Sequence, residues 1–153
     1  MSFQTNESYE IYHDLIINAS LTKVFEAITK PNHLIKWWPL KCVGKPEIGG
    51  EYNFYFTPEY DWFGEVIEYL HNKAFYIKMI KSNPDWNSTT FGFDIDEING
   101  NVQLKFWHIG WQRCNADYRR SSFCWAILLN GLKNYIEKGI PLNNEININR
   151  FNY

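Results

Sequence analysis

The chain has 153 residues and a formal net charge of −2, with no basic face and no arginine-rich run, which argues against nucleic acid and against a membrane-surface helix. No apolar stretch is long enough to span a bilayer, and a chain of this size can fold as one domain without a disulfide or metal staple. Aromatics make up 18% of the residues, seven of them tryptophan, so the chain carries either a dense core or a lined pocket.

The start, MSFQTNESYEIYHD, lacks a basic stretch followed by an apolar core. No signal peptide is expected, cytoplasmic residence follows, and the sequons at Asn6, Asn18 and Asn87 carry no meaning without a secretion route. Residues 9–17, YEIYHDLII, alternate with Tyr9, Ile11, His13, Leu15 and Ile17 on one face, the pattern of a half-buried strand. Ser20 is placed to cap a helix over LTKVFEAIT, and Pro31 opens a second short helix, PNHLIKWW, which Pro39 stops. Residues 39–50 read as a loop. From Gly49 the period changes to two, and five further strands follow: GGEYNFYFT, DWFGEVIEYL, KAFYIKMIKS, STTFGFDIDEI and NVQLKFWHIGW. Turns fall at Pro58, at His71-Asn72 and at Asn99-Gly100, the last a strong hairpin signal. Residues 112–120 read as a polar loop. SSFCWAILLNGLKNYIEKG then forms one long helix with Trp125, Leu129, Leu132 and Ile136 in a single stripe, closed by Gly139 and Pro141. Gly131 suggests a close approach of this helix to the sheet. The tail over 140–153 is read as flexible or as an edge strand. Cys42, Cys114 and Cys124 are odd in number and form no C-x-x-C, which points to reduced thiols.

The order is strand, two short helices, five strands, long helix, within one domain over 1–153. An antiparallel sheet must bury one face, and the one long amphipathic element comes last. The fold expected is α+β, a curved antiparallel sheet of about six strands wrapped around the C-terminal helix.

That order resembles the helix-grip fold of the START, or SRPBCC, superfamily. Four stretches resemble its branch named after the C-terminal domain of the activator of the heat-shock chaperone ATPase: INASLTKVFEAITKPNHLIKWW, IGGEYNF, GEVIEY, and HIGW followed by WAILLNGLKNYIEKG. The resemblance implies a cavity between sheet and long helix that takes a small apolar or amphipathic ligand. The eukaryotic chaperone activator has a further N-terminal domain without a counterpart in these residues, so chaperone activation is not expected.

Strand parity assigns the inward face to Tyr52, Phe54 and Phe56, to Phe75, Ile77 and Met79, to Thr89, Phe91, Phe93 and Ile95, and to Val102, Leu104, Phe106 and His108. With Trp37 and Trp38 at the rim, Trp111, and Trp125 and Leu129 on the helix, these side chains are either a core or the lining of a ligand cavity. His108 is the polar residue of most interest. It is read first as a satisfied core histidine, with general acid/base work as the alternative. Tyr52 could offer its hydroxyl to the same space, and at most one of Glu65 and Glu68 points inward. No nucleophile–base pair, phosphate loop or calcium loop is present, and no metal or organic cofactor is indicated. The leading reading is a module that binds a small hydrophobic or amphipathic ligand, with a homodimer left open. The second is a cyclase, hydrolase or isomerase using His108. The third is a chaperone-associated interaction protein offering Trp86 and the ININRF tail.

Overall fold

The computed structural model describes residues 8–142. Ten elements follow in order: β1 (Tyr9–Ile17), α1 (Leu21–Thr29), α2 (Pro31–Leu34), β2 (Lys41–Gly44), β3 (Glu51–Thr57), β4 (Tyr60–Leu70), β5 (Ala74–Lys81), β6 (Thr90–Ile98), β7 (Asn101–Trp111) and α3 (Ala116–Lys138). The strands form one antiparallel sheet in the order β1-β7-β6-β5-β4-β3-β2. Strands β2 to β7 are a meander, and β1 closes the other edge by pairing with β7.

Local chemistry sets the boundaries. The Ser20 hydroxyl accepts from Lys23 N at 3.2 Å and starts α1. Asn99 and Gly100 both take left-handed φ, 52° and 82°, as a two-residue hairpin with the strand twist requires. Gly139 takes φ 70° and its N–H donates to Tyr135 O, ending α3. α3 lies along β1, where Tyr118 Oη donates to Glu10 O at 2.6 Å and Lys133 Nζ to Ile16 O at 2.7 Å. Its inward stripe of Trp125, Leu129, Leu132 and Ile136 is buried as the spacing predicts.

The structure departs from the sequence reading in several places. There are seven strands, because Lys41–Gly44, read as loop, pairs with β3 at the sheet edge. This strand is four residues long and its inward positions, Cys42 and Gly44, are small and half-buried, so no large apolar side chains mark its alternation. α3 begins at Ala116, since Asn115 Oδ1 accepts from Tyr118 N at 3.1 Å and caps a turn whose polar residues mimic loop composition. α2 is one turn only. Gly131 faces Leu142, not the sheet: a Cβ there would come within 2.9 Å of the Leu142 side chain. The β4–β5 register slips between Val66 and Glu68, which inverts the parity and leaves both glutamates on the outer face. Asp94 is not a freely solvated carboxylate. On the outer face it accepts from Tyr76 Oη and, at 3.0 Å, from Trp107 Nε1. The ININRF tail lies outside the described residues.

Candidate functional site

The sequence-predicted lining residues come together on the concave face, and all of them are buried. Their rings touch. Trp38 lies 4.7 Å from Phe54, 5.3 Å from Phe91 and 4.9 Å from Trp125, centroid to centroid. Phe106 lies 4.4 Å from Trp125 and 5.4 Å from Phe93. Tyr52 stacks on Phe54 and meets Phe75 edge-on, with centroids 5.7 and 5.6 Å away. At such separations the space between the rings is taken up by the rings themselves, each burial contributing about 1.5–3 kcal/mol. Two polar edges in the cluster are already committed to the backbone of α1. Trp37 Nε1 donates to Ala27 O at 2.9 Å, and Tyr52 Oη donates to Thr29 O. The Tyr52 hydroxyl is therefore not turned toward a ligand, and burial raises its pKa.

His108 is fully buried between Trp86, Trp111 and Trp125. Its partners fix its tautomer. Trp125 Nε1 is a donor only and lies 3.1 Å from Nδ1, so Nδ1 accepts. Nε2 then carries the proton and donates to Thr89 Oγ1 at 2.8 Å. The Thr89 hydroxyl in turn donates to Trp86 O at 2.6 Å. Every position of this chain is satisfied, and burial lowers the imidazole pKa to about 3. His108 is a neutral structural histidine. It has neither a free lone pair nor a mobile proton for acid/base work.

One end of the ring cluster opens to a pocket of about 50 Å³. Two elements build it. The β5–β6 connection folds on Asn83, whose Oδ1 accepts from Asp85 N at 3.1 Å and Trp86 N at 3.0 Å. This turn drives Trp86 inward, to 4% exposure, so it is not an exposed patch. The second element is the first half of α3. Asp117, Arg120, Ser121, Cys124 and Trp125 stand at i, i+3, i+4, i+7 and i+8, which is one helix face. Trp62, on the inner face of β4, completes the wall, with centroids 4.7 Å from Trp86. Trp86 Nε1 donates to Ser121 Oγ at 3.1 Å and Asn115 Nδ2 to Asp85 Oδ1 at 3.3 Å, tying the connection to the helix. Arg120 pairs with Asp117 at 3.1 Å. A hydrogen bond to Asp85, with some burial, nevertheless holds the Asp117 carboxyl above its ordinary range. The pocket thus has an indole floor and a polar rim.

The profile of the family described as Activator of Hsp90 ATPase homolog 1-like protein matches residues 18–137. The chain belongs to this family. Among solved structures of the same fold, the Aha1 dimer from Colwellia psychrerythraea is 25% identical, with TM-score 0.79 over 86% of this chain and 98% of that one. CalU16 from Micromonospora echinospora is 17% identical, with TM-score 0.67 over 96% and 94%. DynU16, a protein of the dynemicin biosynthetic locus, is 15% identical, with TM-score 0.73 over 86% of this chain and 48% of that one. No curated protein sequence matches significantly. This member of the Hsp90-ATPase-activator-like family has the START/SRPBCC helix-grip architecture, which is consistent with a ligand-binding module. Among the described residues no helix is long and apolar enough to cross a membrane, and no group of three or more His, Cys, Asp or Glu could hold a metal ion.

Of the residues predicted from sequence, Trp125 borders the pocket; Trp62, Asn83, Trp86, Asp117, Arg120, Ser121 and Cys124 join it unforeseen. Two signals in this family member could have found them. Asn115 followed by Ala116-Asp117 is a capped helix start, and extending the helix to it puts the polar stripe on the Trp125 face. Asn83-Pro84-Asp85-Trp86 is an Asx turn that re-aims a large indole.

Proposed function

We propose that the protein binds a small hydrophobic or amphipathic ligand, with an aromatic portion, at the tryptophan-walled opening between α3 and the β5–β6 connection. The observation that carries this reading is the juxtaposition of Trp62, Trp86 and Trp125 with a rim of Asn83, Asp117, Arg120 and Ser121. Indoles offer stackable faces, and a few convergent polar groups fix orientation. The helix-grip architecture of the family supports the same reading. At about 50 Å³ the opening takes one ring edge or a short chain end, so a larger ligand enters as the Trp86 indole swings outward from Ser121. None of the three cysteines is in a disulfide, which suits a reducing, cytoplasmic setting. An acid/base reaction at His108 is not part of this proposal, because both ring nitrogens are engaged.

Native mass spectrometry of the freshly purified chain, set against its denatured mass, tests the reading. A retained adduct is expected, and it should be lost in Trp86→Ala. A library of aromatic and fatty ligands should supply at least one that raises the melting temperature by roughly 5–10 °C at a hundredfold excess over Kd. A clean apo mass together with no thermal shift from any of them would sink the proposal.

A further inference from the structure

We propose that a groove at the opposite end of α3, between its last turn and α1, is a second binding site, for a small amphipathic anion of the aryl-carboxylate class. The groove has a volume of about 380 Å³, within the range of small-ligand sites. Its floor is apolar, with Ala27 and Ile136 buried. One wall carries a polar pair, His33 Nδ1 and Tyr135 Oη, 2.7 Å apart.

The charges at the rim decide the ligand. Four ionic side chains border the groove, two carboxylates and two ammonium groups. The carboxylates are occupied. Glu26 pairs with Lys30 at 3.2 Å, and Glu137 accepts from Asn18 N at 2.8 Å with Lys133 Nζ at 3.9 Å. Lys23 and Lys138 have no ion-pair partner among the described residues. The uncompensated charge of the groove is therefore positive. Lys138 also offsets the carbonyl ends of α3, which would otherwise repel an anion, and Lys23 stands in the first turn of α1, where the helix dipole adds to its charge. A bound carboxylate selects the arrangement in which His33 Nδ1–H donates to the phenol oxygen and the Tyr135 O–H turns to the ligand. The aryl portion rests on Ala27 and Ile136. This groove shares no residue with the tryptophan-walled pocket, so the two proposals stand or fall separately.

Phenylacetate titrated into the ¹⁵N-labelled full chain, followed by amide shifts, tests the site. Saturable shifts are expected at Lys23, Ala27, His33 and Tyr135 through Gly139, at millimolar concentration. Phenylacetamide, the neutral counterpart, should produce none. The double variant Lys23→Ala/Lys138→Ala should keep its melting temperature and bind roughly three- to tenfold more weakly, as expected for two exposed ion pairs. Absence of saturable shifts, equal binding of the amide, or unchanged affinity in the double variant would each overturn the proposal. Shifts confined to the Trp62, Trp86 and Trp125 indoles would also overturn it, while leaving the proposed function in place.

Discussion

Replacing His108 by phenylalanine separates a neutral, structural imidazole from a working one. Burial lowers the folded pKa to about 3, whereas the free imidazole titrates near 6.5. Below about 6.5 the unfolded chain takes up a proton that the folded chain refuses. Stability therefore falls as the pH falls, across the window from about 6.5 to about 3, and above that window this group adds no slope. The linkage amounts to about 1.4 kcal/mol per pH unit inside the window, or about 2 kcal/mol between pH 7 and pH 5. In His108→Phe this term vanishes. The variant instead leaves Trp125 Nε1 without its acceptor, at a cost of about 1–3 kcal/mol, and any misfit of the new ring adds to it. Neither of these costs depends on pH. The variant should thus be less stable than the parent at pH 7, and the gap should shrink by about 2 kcal/mol at pH 5. Urea unfolding followed by tryptophan fluorescence at both pH values measures it. A gap that stays constant or widens on acidification would mean that folded His108 takes up its second proton at least as readily as the unfolded chain does, and the structural assignment would be refuted.

Three further outcomes follow from single contacts. Gly50→Ala should lower stability by roughly 2–4 kcal/mol in denaturant melts, because its Cβ would lie 2.1 Å from Lys45 O and 2.9 Å from Glu47 O. Asn115→Ala should cost about 1 kcal/mol by the same assay, since it removes the cap on Tyr118 N that starts α3; no loss would argue that the helix is set by packing alone. Iodoacetamide labelling at neutral pH, read by peptide mass, should modify exposed Cys114 first and spare Cys42, whose thiol burial raises to about 12, until the chain unfolds.

The fold was legible in the sequence because period and punctuation agree almost everywhere. β1, α1 and β7 have the bounds that alternation, the Ser20 cap and the Asn99-Gly100 turn predict. β2 was not legible, since four residues are too few to establish a period and its inward positions, Cys42 and Gly44, are small and only half-buried. The polar first turns of α3 were hidden for a related reason. Their pattern makes sense only against the Trp86 connection, which is a long-range partner. The inward rings were likewise readable by parity, but parity says which face a ring is on and not whether a neighbouring ring fills the space before it. His108 shows the same boundary. Its inward direction was readable, but its partners Thr89 and Trp125 come from another strand and from α3, and no spacing rule joins them.

Trp86 and Trp125 each take part in both the His108 network and the pocket. Trp125 donates inward to His108 and also borders the opening; Trp86 lends its carbonyl to Thr89, donates its indole N–H to Ser121, and forms part of the same wall. A ligand that displaced Trp125 would strand its N–H and the His108 lone pair together, two buried groups at about 1–3 kcal/mol each. Swinging the Trp86 indole outward about its own side-chain bonds breaks the Ser121 tie instead, near the surface where water replaces it at little cost, and leaves the Trp86 carbonyl on Thr89. Ligand entry should therefore move the Trp86 indole and leave α3 and the hydrogen bonds of the His108 chain in place. The two Ser121 substitutions Ser121→Ala and Ser121→Val, which loosen that tie without touching His108, should then speed association by the same mechanism that they weaken the closed form. An association rate unchanged in both, with the Trp125 indole shifted on binding, would place the opening on the helix side instead.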